Sequence, residues 1–166
     1  MQDHRIPKPR QTRGYALHRM VAELAQGQPV LFADQGEHLL VRTAQAITPS
    51  GQALPTPQAG VVLAFELQAS VAARRGGKNI YPDLQDWPAR RAWLDNEGRK
   101  HGFELMAAHV TADRLRVTDK TGRTFWIDAS HFTGVLKVTD AALFASALTS
   151  GIGRVGKAYG MGLLVV

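Results

Sequence analysis

The sequence predicts an α+β chain of two tandem ferredoxin-like (βαββαβ, RRM-like) units, the first of them incomplete. Three observations carry that expectation. From residue 60 onward, apolar and turn-forming stretches follow the order strand, helix, two strands, helix, strand. This is the split βαβ arrangement, an antiparallel sheet with both helices on one face. The first sixty residues supply helix, strand, strand, which is part of the same unit. Residues 48–59, rich in Pro, Gly and Ser, read as a linker, so 1–58 and 59–166 are the candidate domains.

The elements follow in order. Met1 to Arg13 is polar, with Pro7, Pro9 and only Ile6 as a clear strand former, so a first strand is missing or short. Residues 13–26 place Leu17, Met20, Val21 and Leu24 on one helical stripe, stopped by Gly27 and Pro29. Val30 to Ala33 and His38 to Thr43 are strands joined through Gln35-Gly36. Val61 to Ala69 is an apolar strand entering a basic loop. Asp86-Trp-Pro88 opens a helix with proline in its first turn, where the missing N–H costs nothing. Phe103 to Thr118 and Arg123 to Val138 are strands turning at Lys120-Thr-Gly122. Thr139-Asp140 caps a helix ended by Gly151, and Gly160 to Val166 closes the chain as a strand.

Composition bounds the function. With 166 residues, 45% hydrophobic and 20% charged, the chain is ordinary globular material long enough to bury a core. Zero cysteines exclude a disulfide scaffold, thiol catalysis and any cysteine-held zinc or iron–sulfur centre. No apolar run approaches the ~20 residues of a membrane span, so a soluble, cytoplasmic chain without membrane partners is the expectation. Fourteen arginines and six lysines against fourteen acids give a net charge of +6. That balance fits a polyanion partner, nucleic acid first, and arginine adds bidentate phosphate contacts and base stacking. Charge alone fits mere solubility equally well.

Four patches are locally basic: the N-terminal Arg5, Lys8, Arg10, Arg13 and Arg19; the loop with Arg74, Arg75 and Lys78; Arg90, Arg91, Arg99 and Lys100; and Arg154 with Lys157. The third reads as a solvated helix face. The fourth lies in a run with Gly151, Gly153, Gly156, Gly160 and Gly162. Such a run lets backbone N–H groups face an anion. It is neither a P-loop nor a Rossmann turn, and by pattern alone it fits a tight structural loop as well as a phosphate cradle.

Four stretches carry a family resemblance. Phe132-Thr-Gly-Val-Leu-Lys-Val-Thr-Asp140, then a helix and the glycine run, resembles the C-terminal signature of the CasE family, the CRISPR repeat-processing endoribonucleases of type I-E Cascade systems. Gly14-Tyr-Ala-Leu-His18 is similar to the family's Tyr-x-x-His helix. Val61 to Lys78 resembles its strand-plus-basic-loop, and Ala92-Trp-Leu94 with Gly102-Phe-Glu-Leu105 its Trp-Leu helix leading into a Gly-Phe strand. The resemblance implies binding of a CRISPR repeat stem-loop and metal-independent cleavage. The ribose 2′-OH attacks the adjacent phosphate, leaving a 2′,3′-cyclic phosphate and a 5′-OH. It further implies that the enzyme stays on the crRNA as a subunit of a Cascade-like complex, in type I-E or a relative such as type IV.

On this resemblance the catalytic candidates are His18 and Tyr15, one helical turn apart. Imidazole transfers protons near neutrality. The RNA-binding candidates are Arg13, Arg19, Arg74, Arg75, Lys78, Arg154, Lys157, Gly151, Gly153 and Gly156. By pattern alone His18 is a solvated helix residue and Tyr15 a packing one. His101, His109 and His131 have no neighbours at metal-ligand spacing, so neither metal nor cofactor is expected. Trp87, Trp93 and Trp126 are expected in the core. CasE-like chains usually begin with an apolar strand, absent here, and Met161 stands where a small or Cys residue is usual. Two other readings remain: a non-cleaving subunit capping the crRNA hairpin, and a generic basic ferredoxin-like RNA-binding module.

Overall fold

The computed structural model describes residues 1–10 and 12–166. Gln11, within the polar N-terminal stretch, lies outside the described residues. Two four-stranded antiparallel sheets are built from successive parts of the chain. The first holds β1 (Gln2–Pro7), β2 (Val30–Asp34), β3 (His38–Thr43) and β4 (Gln52–Ala53) in the order β2-β3-β1-β4, with α1 (Tyr15–Leu24) between β1 and β2.

β1 corrects the expectation of a missing first strand. It pairs with β3 over six residues, from Gln2 opposite Thr43 to Pro7 opposite His38. Ladder bonds need only backbone, and one covered face needs only alternate inward residues. His4 is buried and Ile6 half-buried, while Arg5 and Pro7 face solvent. What this unit lacks, among the described residues, is its second helix, since residues 44–51 link β3 to β4 without one. The α1 stripe buries Leu17 and Val21 against Phe32, Leu39 and Val41. Leu24 departs from the expected stripe and is exposed, because the helix stops there and Gln26 turns to a φ of 50°.

The second sheet runs β10-β5-β9-β8, from β5 (Val62–Ala69), β8 (Phe103–Thr118), β9 (Thr124–Val138) and β10 (Leu164–Val165). This is the ferredoxin-like strand order. α2 (Trp87–Lys100) and α3 (Ala141–Ser150) bury Leu94, Phe144 and Leu148 against Phe65, Leu67, Phe132 and Leu136. Asp86 caps α2, accepting from Ala89 N at 3.0 Å, and Asp140 caps α3, accepting from Ala142 N and Leu143 N at 2.9 Å. The expected basic loop is a hairpin, β6 (Ala73–Arg75) with β7 (Lys78–Ile80). Its two turn residues, Gly76 and Gly77, have φ of 54° and 78°, as a tight hairpin turn demands.

The third cationic patch is not uniformly solvated. Arg90 is fully buried. Its Nη1 donates to Asp128 Oδ2 at 2.7 Å, and its Nη2 to Pro82 O and Asp83 O. Asp128 also accepts from Val71 N at 3.0 Å and from Ser130 Oγ at 3.1 Å, so α2, β9 and the chain after β5 meet on one ion pair. Nor are all the tryptophans in the core: Trp126 is 60% exposed and Trp87 42%, while Trp93 stacks on Phe132.

A second buried guanidinium joins the two sheets. Arg42 on β3 donates from Nε and Nη2 to both carboxylate oxygens of Asp3 on β1, at 2.7 and 2.8 Å. Its Nη1 donates across to Leu148 O at 3.3 Å and Leu164 O at 2.8 Å. Leu148 lies in the last turn of α3, where carbonyls have no partner within the helix.

Two outcomes are expected. Arg42→Met leaves the Asp3 carboxylate unpaired and two carbonyls unsatisfied, so urea unfolding loses about 3–5 kcal/mol; a loss under about 1 kcal/mol would make the pair dispensable. Burial pushes the His4 imidazole below its ordinary value, against a smaller upward pull from Asp3. The folded state therefore disfavours protonation. Its stability is complete above the unfolded value of ~6.5 and falls as acidification proceeds through the lowered folded one. His4→Leu flattens that acid limb in urea titrations run from about pH 7 to 5.

Candidate functional site

The site starts from α1. Its first turn carries Tyr15, and one turn later His18 lies with its ring centroid 5.3 Å from that of Tyr15. Both are half-buried, beside a stripe whose apolar members are committed to the first core. Gly14 precedes them at a φ of 58°. A Cβ there would stand 3.9 Å from Thr118 N, so α1 begins against the tip of the β8–β9 hairpin. The tip is shaped by Asp119, whose Oδ1 accepts from Thr121 N at 2.8 Å, Thr121 Oγ1 at 2.7 Å and Arg123 N at 3.1 Å. The Thr121 bonds hold the Asp119 carboxyl below its ordinary value.

The glycine run closes the same corner. A single 3-10 turn, Lys157–Tyr159, sits between Gly156 and Gly160, both left-handed, and packs against α1. Tyr159 meets Phe125 edge-on at 6.1 Å. Burial, then the Asp119 and Tyr15 charges, raise the Tyr159 phenol above its ordinary value. Met161, the unusual residue of the run, is fully buried with Val117, Ile127 and Ala129 and plugs the hairpin's underside. Gly156 leaves it room, as a Cβ there would meet the Met161 side chain.

On its other side the run lines a cleft of about 650 Å³, walled by α2 and the β6–β7 hairpin. Gly151, Gly153, Arg154 and Lys157 line it with Arg74, Trp93 and Lys100. Arg154 Nη2 donates to Asn79 Oδ1 at 3.1 Å, tying the run to β7. Lys157 Nζ donates to Ser150 O at 2.6 Å. Burial lowers the Lys157 ammonium from its ordinary value, opposed by Glu97.

The candidates from sequence thus converge only in part. His18 and Tyr15 share the corner of α1. Arg74, Arg154, Lys157, Gly151 and Gly153 share the cleft, and Gly156 opens the turn between the two. Arg75 and Lys78 face each other beside the hairpin turn, exposed and outside the cleft lining. Arg13 lines a hollow with Lys8 and Arg10, and exposed Arg19 stands 3.6 Å from Glu23.

Sequence reasoning missed Tyr159, Lys100 as a cleft residue, and the exposed cations Arg114, Arg116, Lys120 and Arg123 of the β8–β9 hairpin. The alternation Arg114-Leu-Arg116 around a turn carrying Lys120 and Arg123 was the available signal for the last group. Among the described residues no cluster of His, Asp and Glu could hold a metal ion, and no helix is long and apolar enough to cross a membrane.

Fold and site together define a tandem ferredoxin-like protein with a glycine-rich run shared by a Tyr-His corner and a cationic cleft. The family model of CRISPR associated proteins matches residues 32–166, and the chain belongs to that family. Among solved structures it is similar to the CRISPR endoribonuclease Cse3 bound to a 19-nucleotide RNA, with 22% identity, a TM-score of 0.81 and 99% of each chain covered. It is similar to Cas6e from Escherichia coli K-12 at 23% identity and a TM-score of 0.76, covering 99% of this chain and 98% of that one. A chain of a CRISPR RNA-guided surveillance complex matches at 22% identity and a TM-score of 0.74, with 99% and 98% covered. No curated protein matches by sequence.

Proposed function

We propose that this chain is a CRISPR repeat-processing endoribonuclease that binds the repeat stem-loop, cleaves pre-crRNA and stays bound to the crRNA as a subunit of a Cascade-like complex. The observation that carries the reading is the Tyr15–His18 pair, facing a glycine-run turn whose other side lines a cationic cleft. The RNA and the complex of the structural relatives support it. Residues 1–58 form the domain that carries the proposed catalytic helix, and 59–166 the domain that carries the glycine run. The setting is the cytoplasm, where the transcript is made.

The step is an internal transfer. The 2′-OH oxygen attacks the adjacent phosphorus, losing its proton to solvent, as the bond to the 5′ oxygen breaks, giving a 2′,3′-cyclic phosphate and a 5′-OH. His18 supplies the proton that the departing 5′ oxygen needs, and Tyr15 orients the ring or the phosphate. Arg19, on α1, and the backbone N–H groups of the glycine run offset charge on the phosphorane. Arg74, Arg75 and Lys78 hold the stem through its phosphates, the readable part of an A-form helix. Arg154 and Lys157 hold backbone near the cut, and Arg13 adds charge beside α1.

The test is cleavage of labelled repeat RNA in EDTA. His18→Ala slows single-turnover cleavage by about 10²–10⁴-fold while the hairpin Kd moves little. Tight binding without any cleavage by the native chain would select the crRNA-capping subunit, and indifference to the hairpin a generic RNA-binding module. Binding weakens steeply with salt as each neutralised phosphate releases counterions; a flat salt titration between 50 and 200 mM would count against any phosphate-gripping role.

A further inference from the structure

The cleft beside the glycine run differs from a duplex-binding surface. It is a recess of about 650 Å³, within the ~300–1,000 Å³ of small-ligand sites, and an A-form stem is too wide to enter it. An unpaired, splayed nucleotide has the right size.

The walls suit such a guest. Arg74, Lys100, Arg154 and Lys157 bring four cations, and His101 stands beside them. The acid, Glu97, is occupied, with Lys100 Nζ at 2.6 Å and His101 Nε2 at 3.6 Å. Arg154 and Lys157 are held by Asn79 and Ser150, so their positions are set before any ligand arrives. Trp93 supplies an aromatic wall, and Gly153, at a φ of 76°, lets the loop pass close over it, since a Cβ there would lie 3.2 Å from the indole. Stacking on an aromatic face is the usual way a protein holds an unpaired base.

An independent observation points to a guest. Ser70 lines the cleft and is 2% exposed. Its Oγ has no hydrogen-bond partner among the described residues. A buried hydroxyl without a partner carries a desolvation cost, and rotation about χ1 toward the cleft that Ser70 lines would let a ribose or phosphate oxygen relieve it.

We infer that this cleft binds an unpaired ribonucleotide flanking the repeat stem, its phosphate on Arg154 and Lys157 and its base against Trp93, with Ser70 bonding the sugar or phosphate. The inference rests on the RNA-processing reading and gives it a second determinant, the single strand next to the hairpin.

The experiment compares three probes by fluorescence anisotropy and Trp quenching: a blunt repeat hairpin, the same hairpin with four unpaired nucleotides on the 5′ or the 3′ side, and a single-stranded tetraribonucleotide. The native chain binds a flanked hairpin at least tenfold tighter than the blunt one. Lys100→Glu reduces that advantage below twofold. Asn96→Asp, on an exposed position of the same wall, reduces it in the same direction and guards against a folding defect in the first variant. An equal Kd for blunt and flanked hairpins, or an advantage that survives both substitutions, overturns the cleft while leaving hairpin recognition intact. Should neither hairpin bind but the tetranucleotide quench tryptophan fluorescence in a Lys100-dependent way, the cleft stands and the stem-loop reading falls. Binding of none of the probes overturns both.

Discussion

Arg42 is the constraint from which the geometry of the candidate site follows. One guanidinium closes a fork on Asp3 in the first sheet and donates to two carbonyls of the second, Leu148 and Leu164. Those carbonyls flank the glycine run at its two ends. The group that fixes β1, and through it the approach to α1, also fixes where the run leaves α3 and where it rejoins the sheet. Lysine could not do this, since a point charge on a flexible stem lacks the planar fork that satisfies four acceptors at once. Removing the charge would leave a carboxylate and a helix end unsatisfied in a site nearly closed to water, which is why the ion pair acts as a positioning element as well as a source of stability.

The glycine run serves two sides because five of its twelve residues, 151–162, carry no side chain. Ile152 N donates to Gly162 O at 2.8 Å, and Gly162 N to Gln68 O at 2.7 Å, so the run closes on itself and on β5 through its backbone. Left-handed glycines let it turn inside a narrow space. Between those turns only a few side chains project, and they divide the labour: Lys157 toward the cleft, Tyr159 toward Tyr15, Met161 into the hairpin's underside. A chain reader sees a glycine-rich string with two cations. In three dimensions it is a partition with a different chemistry on each face.

Local signals were legible wherever the physics is local. Asp86 with Pro88, Asp140, Gly151 and the Lys120-Thr-Gly122 turn all sit where capping and turn chemistry put them, because these depend on neighbours within about four residues. Non-local pairings were not legible. β1 reads as a poor strand because its stability comes from β3, some thirty-five residues away. Arg90 reads as a surface charge because its partner, Asp128, is 38 residues distant. Trp126 reads as core because composition cannot tell which face of a long hairpin a helix will cover.

By itself, then, the sequence determined the order of the elements, the second unit's strand-helix pattern, the basic character of the chain and the Tyr-x-x-His and glycine motifs that carry its family resemblance. The tertiary structure alone decided which of the cations converge, that among the described residues the first unit has its opening strand but lacks its second helix, and that one recess unites α2, the β6–β7 hairpin and the glycine run. The division has one cause. Capping, turns and periodicity are set by residues within a helical turn or two. Buried ion pairs and clefts arise where segments far apart in the chain are brought together by burying apolar surface, a force that has magnitude but no address.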